Sequence, residues 1–128
     1  AVSKELWTRT AQDWLDEAEE VLVSEWLMTE AAAALSQKQR MNVMSAAERA
    51  EAMGVLRGQA EGAMQFVPVT REDFRTAARY AERAETGLRA GDALHLAIAA
   101  AADATLVTFD RKQARAAESL GVRILLLA

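Results

Sequence analysis

Gly91-Asp92-Ala93-Leu94-His95-Leu96-Ala97 and Leu106-Val107-Thr108-Phe109-Asp110 are the two stretches that decide how this chain folds. The first opens an alanine-rich helical segment and the second closes a short apolar strand, each with a carboxylate. A helix from Asp92 to about Asp103 climbs about 18 Å, at roughly 1.5 Å per residue. A strand from Thr105 to Phe109 descends about 17 Å, at roughly 3.3 Å per residue. Asp110 therefore returns to the level of Asp92. In open α/β sheets, ligands sit beyond the carboxyl ends of the strands, so two acids at one such edge point to a charged site.

Composition narrows what such a site can hold. With 128 residues and 52% hydrophobic content, the chain reads as one domain, residues 1–128, with enough apolar material for one core. It has no cysteine and a single histidine, His95, which excludes thiolate and His-rich metal sites. A metal would be held by carboxylates and water, a donor set that selects hard ions such as Mg²⁺ or Mn²⁺. The longest apolar runs, Ala31 to Leu35 and Ala97 to Ala102, fall far short of the roughly 20 residues needed to span a bilayer. The expectation is a cytoplasmic protein with no membrane association. The net charge of −4 is uneven. Residues 1–30 carry two basic and eight acidic groups, and residues 31–128 carry thirteen basic and eleven acidic ones. This gives weak support for an anionic partner, since a protein binding nucleic acid through charge alone is far more basic.

Working outward, strands and helices alternate. Leu6, Trp7, Trp14 and Leu15 fall at helical spacing between Ser3 and about Ala18. Val21-Leu22-Val23 reads as a strand, and Ser24 caps a helix through Trp26, Leu27, Ala31, Ala34 and Leu35. Ser45-Ala46-Ala47-Glu48 has capping-box spacing and starts a helix to roughly Met64. Phe66-Val67-Pro68-Val69 reads as an edge strand, because proline cannot donate to a sheet ladder. Thr70 caps a helix to Arg83 with Phe74, Ala77, Ala78 and Ala81 along its apolar stripe, and Gly87 to Gly91 form a loop. After the Asp92 helix and the strand ending at Phe109, a helix runs from Arg111 to about Leu120. Gly121 stops it, and Val122 to Leu127 form a last strand. Apolar strands separated by helices imply an α/β fold with a mostly parallel central sheet flanked by helices on both faces.

Each candidate residue also has a plain structural explanation. Asp92 and Asp110 both stand at helix starts and can serve as N-caps. Glu30 lies in the largely apolar run Leu27 to Leu35, where a carboxylate needs a partner, about one turn beyond the strand that precedes it. His95 reads as a packed, hydrogen-bonded core residue. The three tryptophans read as core or interface. Thr29 and Thr108 stand beside candidate acids and could orient them. Arg83, Arg89, Arg111 and Lys112 flank the inferred edge and read either as phosphate contacts or as solvated charges. No glycine-rich phosphate loop or nucleophile elbow occurs.

These residues together resemble the PIN-domain family of metal-dependent ribonucleases, in particular the VapC-like toxins of bacterial toxin–antitoxin pairs. Ser24-Glu25-Trp26-Leu27-Met28-Thr29-Glu30 is similar to the family's segment after its second strand. Gly91 to Ala97 is similar to its Asp-Ala-Leu-His-Leu-Ala helix, Leu106 to Asp110 to its Thr-x-Asp strand end, and Gly121-Val122 stands where its last strand begins. The resemblance implies a three-layer fold, an acidic site in which Glu30, Asp92 and Asp110 bind Mg²⁺ or Mn²⁺, an RNA substrate, an antitoxin partner and a homodimer. Family members begin with a strand bearing an Asp-Thr-Ser-like motif and the first acid. This sequence instead opens Ala1-Val2-Ser3-Lys4 and enters a helix, so that strand is expected to be absent here. Two other readings remain: a catalytically incomplete PIN-like module acting through an antitoxin or another protein, and a flavodoxin- or receiver-like domain. The latter leaves Glu30 without a role.

Overall fold

The computed structural model describes residues 13, 21–62 and 64–127. The helix expected over Ser3 to Ala18, with Trp7 and Trp14, lies outside the described residues except for Asp13, which is helical. The chain divides into two compact units, one taking in Glu19–Pro68 and the other Val69–Ala128. Each is built from parallel strands and helices, and five α-helices occur among the described residues.

In the first unit, β1 (Val21–Ser24) pairs in parallel with β2 (Met64–Val67), Val21 opposite Met64 and Ser24 opposite Val67. Ser24 ends the strand and caps α1 (Glu25–Arg40), its hydroxyl accepting the Leu27 N–H at 3.2 Å. After a turn in which Asn42 takes a left-handed φ of 59°, α2 spans Ala46–Gly62. Its capping box is complete. The Glu48 N–H donates to Ser45 Oγ at 3.1 Å, and the Ser45 N–H donates to Glu48 Oε1 at 3.0 Å. The Arg49 guanidinium reaches back to Gln39 Oε1 at 2.6 Å, tying the start of α2 to the end of α1. The expected strand at Phe66 to Val69 is displaced to Met64–Val67, ending before Pro68. Proline offers no N–H to continue the ladder, and the register with β1 is complete without it. Among the described residues, the buried apolar side chains of this unit are Val23, Met53 and Ala60, and α1 buries no residue fully.

In the second unit, Thr70 caps α3 (Arg71–Glu82) through a reciprocal box with Asp73, at 3.2 and 2.9 Å. Asp73 is buried, its charge absorbed by the free N–H groups of the helix start. The stripe expected on this helix is corrected. Ala77 is buried, but Ala78 and Ala81 are exposed and Phe74 is 56% exposed. The inner face instead runs Asp73, Ala77, Tyr80, and it carries the capping carboxylate inward. A 3₁₀ turn (Ala84–Thr86) closes on Gly87, whose φ of 61° suits a residue without a Cβ. Next, α4 spans Ala90–Ala101 and packs against α3. It starts two residues before Asp92, so Gly91 belongs to the helix and not to the preceding loop.

The remaining elements form a βαβ unit: β3 (Leu106–Thr108), α5 (Arg111–Leu120) and β4 (Ile124–Leu126), with β3 and β4 parallel. Both strands are shorter than expected. Gly121 ends α5 in the left-handed conformation at φ 75°, as its position predicts. Among the described residues, Leu96, Ala99, Ala117 and Val122 form a core cluster of this unit, with Tyr80, Leu88, Leu106, Leu120 and Ile124 packed around it. Leu96 is fully buried, and alanines let the helices approach closely.

Candidate active site

Asp110 stands two residues beyond the carboxyl end of β3 and is the N-cap of α5. Its Oδ1 accepts the Lys112 N–H at 2.9 Å and the Gln113 N–H at 3.4 Å. The carboxylate is exposed, and its charge faces the positive end of the helix dipole. Thr108 holds the same turn from the strand side. Its Oγ1 accepts the Asp110 N–H at 3.0 Å and donates its proton to Gln113 Oε1 at 2.7 Å. Thr108 therefore steadies the turn that carries the acid beside it. Thr29 does not, since its hydroxyl donates to the Glu25 carbonyl of its own helix at 3.2 Å.

Asp92 is the third residue of α4 and is half-buried. It is not the N-cap, a position taken by Arg89 without a side-chain hydrogen bond. A carboxylate in a first turn is favourable without capping, because the early N–H groups still point toward it. His95, one turn on, is half-buried and not in the fully buried core. Glu30 is half-buried in the second turn of α1, in the other unit, while Ala32, Ala33 and Ala34 near it are exposed. One face of that helix, at Trp26, Leu27, Ala31 and Leu35, is half-buried, and Glu30 Oε1 is buried as well. Within either unit, no group of three His, Asp or Glu side chains is placed to hold a metal among the described residues.

The flanking cations divide. Arg83 is committed to Glu85, Nε to Oε1 at 2.9 Å, whereas Arg89 and Arg111 are exposed. Lys112 lies over the Gly87 turn, where a Cβ would come within 3.0 Å of Lys112 Cε. Gln113 was not singled out from the sequence, yet it is a buried polar residue, 6% exposed, hydrogen-bonded beside Asp110. A signal existed. Gln113 follows the cap residue by three, and it begins the stripe Gln113, Ala117, Leu120 that α5 turns inward.

The sequence matches the PIN domain family over residues 3–119, nearly the whole chain. The chain belongs to the PIN-domain family. PIN domains are a nuclease superfamily, generally hydrolases that use divalent metal ions, and the parallel strands and helices of both units accord with that α/β fold. No curated protein matches this PIN domain. No helix among the described residues is long and apolar enough to cross a membrane. The donor chemistry suits a hard divalent cation: an exposed carboxylate with one oxygen engaged in capping, a threonine hydroxyl beside it, a half-buried aspartate in a first turn, and no competing thiolate.

Proposed function

We propose that this PIN domain is a metal-dependent endoribonuclease, the toxin of a toxin–antitoxin pair, in which Glu30, Asp92 and Asp110 hold Mg²⁺ or Mn²⁺. The family match over residues 3–119 carries this reading. When bound, such a cation supplies Lewis acidity toward a phosphodiester and makes water a stronger nucleophile. The chain's own part is to hold charge and direction. Asp110 engages Oδ1 with the first turn of α5, while the Thr108 hydroxyl accepts its backbone N–H. Asp92 is steadied by the first turn of α4. Arg89, Arg111 and Lys112 supply positive charge for an RNA backbone near these two helix starts. An antitoxin and a second copy of the chain are the proposed protein partners.

The deciding experiment is cleavage of a mixed RNA substrate with Mn²⁺, with EDTA, and by Asp110→Asn. Cleavage that requires the metal and is lost in the variant is expected. Cleavage unchanged by EDTA, or retained by Asp110→Asn, overturns the assignment. Binding of an antitoxin that survives Asp92→Asn and Asp110→Asn, without cleavage by the parent chain, selects the catalytically incomplete module instead.

A further inference from the structure

Gln113 is an unusual residue to find inside this unit. Its neighbours on the inward face of α5 are Ala114, Ala116 and Ala117, and a buried amide costs free energy unless it is hydrogen-bonded. It touches Asp110 by two routes. Through its backbone, its N–H donates to Asp110 Oδ1 at 3.4 Å. Through its side chain, Oε1 takes the Thr108 hydroxyl proton at 2.7 Å, and the same hydroxyl oxygen accepts the Asp110 N–H at 3.0 Å. A hydroxyl has a single proton to give. With that proton spent on Gln113, the Thr108 oxygen turns its lone pairs toward Asp110, and the backbone of the aspartate is clamped.

We propose that Gln113 is a positioning residue for the metal site: through the Thr108 hydroxyl it fixes the direction in which Asp110 presents its carboxylate. This rests on the reading of Asp110 as a metal ligand. A partner that orients a ligating carboxylate is worth about 10- to 100-fold in metal affinity. An apolar residue of the same size would fill the space but leave the hydroxyl free to rotate.

The test is Mn²⁺ binding to the whole chain, by titration calorimetry or by the free-ion electron paramagnetic resonance signal, with unfolding midpoints taken on the same samples. The variants are Gln113→Met, Thr108→Val, the two combined, Gln113→Glu and Asp110→Asn. Gln113→Met and Thr108→Val are each expected to weaken Mn²⁺ binding about tenfold or more. The double variant should be no weaker than the worse single one, because both cut the same link. Gln113→Glu keeps an acceptor for the hydroxyl and is expected to restore binding to the parent level or better. A lower unfolding midpoint in Gln113→Met with unchanged Mn²⁺ affinity overturns the proposal and leaves Gln113 a packing residue. Additive losses overturn the route through Thr108. If the parent and Asp110→Asn bind Mn²⁺ equally, the ligand reading itself fails and takes this proposal with it, a pattern distinct from the other two. Should Gln113→Met fail to fold, Thr108→Val against Gln113→Glu still decides: loss in the first with retention in the second supports the link, and equal affinity in both overturns it.

Discussion

The two units are held together by different means. In Val69–Ala128, helices α3, α4 and α5 turn a continuous face inward onto Leu96, Ala99, Ala117 and Val122, and even polar side chains such as Asp73 and Gln113 are buried and bonded. In Glu19–Pro68, α1 buries nothing fully, α2 buries only Met53 and Ala60, and Met41, Val43 and Val55 stand exposed. The second unit has packing to orient its acid, while the first relies on local capping and a two-stranded parallel pair. Glu30, half-buried on α1, has its Oε1 out of contact with solvent. Asp110 has its position set by a hydrogen-bonded network that reaches into the core.

The sharpest way to break this contrast is to cut each unit at its apolar side chains. Leu96→Ala is expected to cost about 2–5 kcal/mol, since its cavity opens among helices that cannot collapse further. Val55→Ala on the exposed face of α2 should stay within about 0.5 kcal/mol of the parent. Urea unfolding midpoints at constant slope check both. Equal losses would mean that the first unit carries as much packing as the second.

The next largest effect is expected at the caps. Thr70→Ala removes one half of a reciprocal box whose other half, Asp73, is buried, and should cost about 1 kcal/mol or somewhat more. Ser45→Ala breaks the same motif on the surface, where water replaces the lost acceptor, and about half that cost is expected. Urea unfolding of the pair ranks them, and a reversed order would show that burial adds nothing to the cap.

Glycine replacements should change sign between the units. Gly121 sits at φ 75°, so Gly121→Ala is expected to destabilise by about 1 kcal/mol. Gly54 lies within α2 with open space where a Cβ would go, so Gly54→Ala should stabilise by about 0.5–1 kcal/mol through helix propensity. Thermal midpoints moving the same way in both would contradict the backbone assignments.

Local chemistry made much of this fold legible in the sequence. Ser24, Ser45 with Glu48, Thr70, Asp110 and Gly121 each sit where their residue type satisfies an end of a helix, and each does so. What misled was composition without local chemistry. The glycines at 87 and 91 look alike, but only Gly87 uses a positive φ, and α4 begins at Ala90 because packing against α3 supports a start with no side-chain cap. Alanine reads as apolar, yet Ala78 and Ala81 serve helix propensity on a surface. At the site, the acids were legible as residue types and Thr108 as a neighbour of one. Gln113 carried a faint signal, three residues after the cap Asp110 on the inward stripe of α5, but its link to Thr108 emerges only in the fold.

The smallest effect expected is a titration at the rim of the second unit. The Glu85 carboxyl lies below the usual glutamate range, drawn down by its own backbone N–H and then by the Arg83 guanidinium at 2.9 Å. A carboxyl depressed in the folded state contributes stability above its unfolded pKa, and that contribution fades as the pH falls through the folded value. Because Glu85 is fully exposed, the effect belongs in a titration curve and not in a stability measurement. Carbon-detected NMR should place the Glu85 midpoint below that of an unpaired surface glutamate, and Arg83→Gln should raise it partway, leaving the backbone contribution in place. A midpoint unmoved by Arg83→Gln would show that the ion pair is incidental and that the 3₁₀ turn alone holds the charge. Arg83 would then be a free cation beside the Gly87 turn, available with Arg89 and Lys112 to an anionic strand.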